Sequence, residues 1–208
     1  MQVTPSIIGK NFFDVKGKIS LVEGLVDWVQ VDIADGIFAP NDTWSAPEDL
    51  LEVEGKTKIE AHLMIEKPEE VLSEWINFVD RVIVHVESTE HLAEIVDIFE
   101  HHKTVELGLA LLISTPVEKI EPYADKIKLV QLMSIDKLGF HGQPFDIKVV
   151  DKVKELRTQY PNLKIQVDGG ISLEEAKLLK EVGVDVVVVG SKIWNNDVES
   201  TIKEFQVI

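Results

Sequence analysis

Eight short runs of β-branched and aliphatic residues recur along this chain, and nearly all are followed by a stretch with helical periodicity. That alternation constrains the fold more than any single residue, because a helix after a strand returns the chain to begin a parallel neighbour. The strand candidates are Val3–Ile8, Trp28–Ile33, Lys58–Met64, Arg81–Val86, Thr104–Leu111, Lys128–Met133, Lys164–Val167 and Val184–Val189. Helical patterns fill Phe12–Leu25, Pro68–Phe78, Thr89–His102, Val117–Ala124, Ile147–Gln159, Ser172–Val182 and Val198–Phe205. Ser172 with Glu175 forms a capping box, Pro68 suits a first helical turn, and Gly183 stands where a helix should stop. Only Asp35–Thr57 reads mostly as loop, with a short helix around Pro47–Leu51. The spacing is about 26 residues per unit, close to the minimum for a strand, a helix and two tight turns. The expected fold is α/β: one (β/α)8 TIM barrel spanning residues 1–208, with an open doubly wound sheet as the alternative.

In such a barrel the ends of all the strands meet at one face, so residues far apart in sequence converge there. Asp32, His62 and Asp168 each sit at or near the end of a strand run, and Ser6 and Met133 occupy similar positions. Alternation puts Gln30 on the same side as Asp32, and Glu60 and Met64 on the same side as His62. We expect Ser6, Gln30, Asp32, His62, Met133 and Asp168 to face one mouth. A carboxylate at the end of a buried strand is poorly solvated, which raises its pKa toward the range useful for exchanging protons with carbon acids. The bland alternative is that Asp32 and Asp168 cap their own turns, Asp35-Gly36 and Gly169-Gly170. His85 reads as a hydrogen-bonded core histidine, and His101 and His102 as partners of a helix C-terminus. Gln30 lies where a further ionisable or metal-binding group is expected.

Glycines cluster late, in Gly139-Phe140-His141-Gly142-Gln143, Gly169-Gly170 and Gly190-Ser191. Loops after the seventh and eighth strands commonly build a phosphate site in these barrels, and glycine lets backbone N–H groups approach it. Such a site would have to act at short range, because a formal net charge of −16 without a basic stripe repels polyanions. The same charge argues against a nucleic-acid partner. With no cysteine, disulfides, thiolate metal sites and cysteine nucleophiles are excluded. Met1–Ile8 shows neither a basic leader nor a long apolar stretch, so we expect no membrane span and a cytoplasmic location. The surface is compatible with a homo-oligomer.

In order along the chain, several segments resemble signatures of the ribulose-phosphate 3-epimerase family. Pro5-Ser6-Ile7-Ile8 looks like its first strand, and Val31-Asp32-Ile33-Ala34-Asp35-Gly36-Ile37-Phe38-Ala39-Pro40-Asn41 resembles V-D-V-M-D-G-x-F-V-P-N. Ala61-His62-Leu63-Met64-Ile65 with Lys67-Pro68 resembles H-L-M-V…P, and Met133-Ser134 with Gly139-Phe140-His141-Gly142-Gln143 resembles M-S-V-N-P-G-F-G-G-Q. Val167-Asp168-Gly169-Gly170-Ile171 and Gly190-Ser191 match the closing signatures. The resemblance implies Asp32 and Asp168 as the catalytic acid/base pair in interconverting ribulose 5-phosphate and xylulose 5-phosphate. It implies Ser6 as a sugar contact and Met64 and Met133 as an apolar collar. Gly139, Gly142, Gly169, Gly170, Gly190 and Ser191 would serve the substrate's phosphate end. A divalent metal of the zinc, iron or manganese class would sit on Asp32, His62 and Asp168, with no organic cofactor.

Two departures fall beside the chemistry: Gln30 where the family usually has histidine, and Ala34 where it has methionine. An amide oxygen is a weaker ligand than imidazole, so a weakened metal site is expected. Ile135-Asp136-Lys137-Leu138 also replaces a shorter V-N-P segment. A barrel that binds a phosphorylated sugar without epimerising it, or an enzyme on a different phosphorylated sugar, is the second reading. Decarboxylase and aldolase barrels with Asp-x-Lys-x-x-Asp are disfavoured, because Asp32-Ile33-Ala34-Asp35 lacks the lysine.

Overall fold

The computed structural model describes residues Met1–Ile208 and contains eight parallel strands closed into a barrel in sequence order. These are β1 (Gln2–Ile7), β2 (Trp28–Ala34), β3 (Lys58–Met64), β4 (Arg81–His85), β5 (Glu106–Leu111), β6 (Leu129–Met133), β7 (Lys164–Asp168) and β8 (Val186–Val189). Pairing of Gln2 with Val186 and of Pro5 with Val189 closes the ring, which leaves no strand edge exposed. The open-sheet alternative is thereby excluded.

The helices are α1 (Phe12–Val22), α2 (Leu72–Trp75), α3 (Leu92–His101), α4 (Val149–Gln159), α5 (Leu173–Glu181), α6 (Ser191–Trp194) and α7 (Val198–Gln206). Tighter 3-10 turns occupy Pro47–Glu52, Pro68–Glu70 and Val117–Tyr123. Several helices are shorter than their periodicity suggests, each for a local reason. Pro68–Phe78 splits at Val71, whose φ of −114° departs from the helical value, into a 3-10 turn and α2. Val117–Tyr123 contains Pro122, which lacks the N–H a regular α-helix needs. Asp146 Oδ1 accepts from Lys148 N at 2.9 Å, which holds Ile147 and Lys148 in a turn and starts α4 at Val149. The Ser172–Glu175 capping box opens α5, and Gly183, with φ of 92°, follows its end.

The main apolar core lies between barrel and helices, where alternate strand residues such as Val29, Val31, Ile33, Ala61 and Leu63 are buried. The other face of each strand turns into the barrel, where polar residues from β2, β3, β6 and β7 stand beside a small apolar cluster of Ile83, Ala110 and Leu129. Register sets them in two levels: Gln30 lies beside Glu60 and Glu60 beside Arg81, while Asp32 lies beside His62. On the opposite wall Gln131 pairs with Gln166 and Met133 with Asp168. Adjacent strands therefore carry the lower-level and upper-level side chains at matched heights.

Candidate active site

A pocket opens at the C-terminal ends of the strands. Asp32, His62 and Asp168 line it, together with Ser6, Met64 and Met133. Gly139, Gly142, Gly169, Gly170, Gly190 and Ser191 line the same pocket, in the loops beyond β6, β7 and β8. Gln30 does not face the mouth as expected from alternation alone. It is fully buried one level lower, as the floor beneath the carboxylates.

Neither aspartate side chain caps its turn. In the loop after β2 that task falls to Asp35, whose carboxylate accepts from Ile37 N, Phe38 N and Glu66 N at 2.7–2.9 Å. Asp32 is left to point inward, where its Oδ1 lies 3.0 Å from His62 Nδ1 and 2.7 Å from Gln30 Nε2. Asp168 Oδ2 accepts from Gln30 Nε2 at 2.9 Å and from Gln131 Nε2 at 3.1 Å. Burial, then the neighbouring charge of Asp32, push the Asp168 pKa up to about 7. That value makes it an efficient proton carrier near neutral pH.

His62 belongs to a chain of imidazoles. Its Nε2 lies 2.9 Å from His85 Nε2, and His85 Nδ1 lies 3.3 Å from Glu87 Oε2. Burial alone would lower the His62 pKa, but hydrogen bonding to Asp32 and the charges of Asp32, Asp168 and Glu60 raise it overall. Burial lowers His85 to about 4. The polarities are compatible with a protonated His62 donating to Asp32 and to a neutral His85, which in turn donates to Glu87. His85 is thus hydrogen-bonded in the core, as its sequence context suggests.

Asp32, His62 and Asp168 each offer a ligand atom, and these atoms lie within 4.8 Å of one another. The donor types suit a divalent ion. The space between them does not, because the Gln30 amide nitrogen stands 2.7 Å from Asp32, 2.9 Å from Asp168 and 3.3 Å from His62 Nδ1. A cation and an N–H donor cannot share that position. As the side chains stand, the set does not fit a metal.

Among the pocket glycines, Gly169, Gly170 and Gly190 are tightly placed. Gly169 and Gly170 have φ of 120° and 67°, and a Cβ on Gly170 would lie 2.6 Å from Phe145 N. A Cβ on Gly190 would lie 2.5 Å from His141 Nε2. His141, where the quoted signature has glycine, was not among the residues expected at the site. It lines the pocket with its Nε2 3.4 Å from Ser6 Oγ. The only trace of it in the sequence is an imidazole inside a glycine-rich loop. No lysine or arginine lines the pocket. Asn41 Nδ2 donates to Gly139 O at 2.6 Å, tying the loop after β2 to the loop after β6 across the mouth.

Fold and pocket together define a (β/α)8 barrel enzyme with two facing carboxylates and a histidine at the catalytic end of the barrel. The chain belongs to the ribulose-phosphate 3-epimerase family, whose sequence model matches residues 2–194. It is 33% identical to a ribulose-phosphate 3-epimerase of Bacillus subtilis over 99% of this chain and 98% of that one. A ribulose-phosphate 3-epimerase of Schizosaccharomyces pombe is 31% identical over 93% of this chain and 87% of its own. Among solved structures, 3-hexulose-6-phosphate synthase superposes with a TM-score of 0.75 at 16% identity, covering 100% of this chain and 99% of its own. The 3-keto-L-gulonate-6-phosphate decarboxylase of Vibrio cholerae gives 0.77 at 13% identity, covering 99% and 95%. At that identity the two structures speak for the fold alone.

Proposed function

We propose that this protein interconverts D-ribulose 5-phosphate and D-xylulose 5-phosphate by moving a proton at C3. The observation that carries this reading is the pair Asp32 and Asp168, which reach one pocket from β2 and β7 and share a single amide donor. One aspartate removes the C3 proton, and the C–H electrons pass to the C2 carbonyl oxygen to give an enediolate. The other aspartate delivers a proton to the opposite face as the carbonyl re-forms. Ser6 contacts the sugar, and Met64 and Met133 keep water from the reacting carbon. Gly139, Gly142, Gly169, Gly170, Gly190 and Ser191 hold the phosphate by short-range contacts, with His141 as the added polar side chain. A zinc, iron or manganese ion would have to displace the Gln30 amide to reach Asp32, His62 and Asp168, so no step is assigned to one. We read residues 1–208 as one catalytic barrel acting in the cytoplasm. No helix is long and apolar enough to cross a membrane.

Incubation with ribulose 5-phosphate in deuterated water tests the reading, with deuterium at C3 and accumulation of xylulose 5-phosphate as the expected result. The amide bonds to both carboxylates favour one competitor, a barrel that binds the phosphosugar without reacting. Saturable binding of the sugar with its C3 proton retained would establish that competitor instead.

A further inference from the structure

Beneath the carboxylates lies a fully buried chain of polar side chains whose hydrogen-bond directions are set from below. Arg81 Nη1 donates to Glu60 Oε2 at 2.6 Å, and Arg81 also meets Glu106 and stacks 3.9 Å above the Trp28 ring. Arg81 has only donors, so it fixes Glu60 Oε2 as an acceptor. Glu60 Oε1 in turn accepts from Gln166 Nε2 at 2.8 Å. The same Gln166 nitrogen reaches Gln131 Oε1 at 2.7 Å and Gln30 Oε1 at 3.2 Å. With their oxygens drawn downward, Gln30 and Gln131 both present NH2 groups upward, Gln30 to Asp32 and Asp168 and Gln131 to Asp168.

This direction is enforced and not incidental. Turning the Gln166 amide over would set its oxygen against the Glu60 carboxylate. Turning Gln30 over would set its oxygen against two aspartates and its nitrogen against the Gln166 nitrogen. The structure even carries a cost of the arrangement, since Gln166 Oε1 is buried without a partner while its nitrogen faces three acceptors. An unpaired buried acceptor is destabilising, so something outweighs it. The Glu60 charge, held by Arg81, is the strongest group within reach.

We propose that the Gln30 amide takes the cation's place in this centre. Arg81, Glu60 and Gln166 act as positioning residues that lock its N–H hydrogens toward the carboxylates, which leaves the site with only weak affinity for a divalent metal. The consequence for catalysis rests on the epimerase reading above, whereas the metal consequence is measured without turnover.

Metal content of protein purified without chelator, and zinc titration followed by melting temperature, test the lock. The unsubstituted protein is expected to carry substoichiometric zinc, iron and manganese, and not to rise in melting temperature with zinc. Gln30→His should bind zinc stoichiometrically. Glu60→Gln gives the sharper test. Arg81 would hold the new amide's oxygen and turn its NH2 toward Gln166, which would flip to accept it and release Gln30. Zinc should then bind about tenfold tighter than to the unsubstituted protein, the scale on which outer-shell groups act. Removing a negative charge would by simple electrostatics weaken cation binding, so the sign separates a lock from a merely structural role. If Glu60→Gln does not fold, Gln166→Met, which removes the same donor without changing charge, carries the same expectation. Stoichiometric metal in the unsubstituted protein, or folded lock variants that bind zinc no tighter, would overturn the proposal. A protein that binds no zinc and exchanges no C3 proton would leave the lock standing and defeat the epimerase reading alone.

Discussion

The barrel interior holds buried carboxylates at two levels and treats them in opposite ways. At the lower level Glu60 faces Arg81 at 2.6 Å, and Arg81 reaches on to Glu106. At the upper level Asp32 and Asp168 face each other with no lysine or arginine lining the pocket, only amide donors and His62. Burial raises the carboxyl pKa at both levels, but the Arg81 guanidinium pulls Glu60 back down, whereas the like charge of Asp32 pushes Asp168 higher still. The contrast locates chemistry in the upper level and rigidity in the lower.

Substitutions at the two levels should therefore fail differently. Asp32→Asn and Asp168→Asn should each lower net epimerisation by about 10²–10⁴-fold, the usual worth of a general acid or base, while leaving the protein folded. Steady-state rates beside circular dichroism check this; loss of fold would move these residues into the scaffold. Arg81→Met should do the reverse by leaving Glu60 buried without its counter-ion, at a cost of about 3–5 kcal/mol in denaturant unfolding. An unchanged unfolding midpoint would mean that the lower level is not held by this pair.

A pH series sharpens the contrast. The folded Asp168 pKa of about 7 lies above the ordinary carboxylate value, so its contribution to stability is fully present below about pH 4 and is lost as pH rises through about 7. Relative to Asp168→Asn, the unsubstituted protein should lose stability across that window; parallel melting curves would contradict it. The smallest effect is expected at His141. Burial lowers its pKa, so it acts as a neutral partner, and His141→Gly should raise KM about fivefold with little change in kcat. A fall in kcat alone would place His141 with the reacting atoms instead.

Much of this was legible in the sequence. The eight strands show as β-branched runs because both faces of each are buried, one in the barrel and one under the helices. Asp32, His62 and Asp168 were visible as polar ends to apolar runs, and the family resemblance gave them roles. The lower level was legible only in outline. Gln30, Glu60, Gln131 and Gln166 each stand two residues before Asp32, His62, Met133 and Asp168, so alternation marks them as facing the same way. What alternation does not show is height. It placed Gln30 at the mouth, whereas the strand's rise sets it one level down. Nor does it show that Gln166 on β7 meets Glu60 on β3 across the barrel, a contact that exists only once the ring closes. His141 stayed hidden because its neighbours Gly190 and Ser6 are distant in sequence.

The most direct measurement is isotope exchange by Asp32→Asn and Asp168→Asn, each assayed separately with ribulose 5-phosphate and xylulose 5-phosphate in deuterated water. If each aspartate serves one face of C3, the remaining carboxylate should remove and return hydrogen on its own side only. Each variant should then exchange the C3 proton of one epimer without inverting it, and the two variants should choose opposite epimers. Exchange of the same epimer by both variants, or net inversion by either at the rate of the unsubstituted protein, would contradict a reaction carried by this pair of carboxylates.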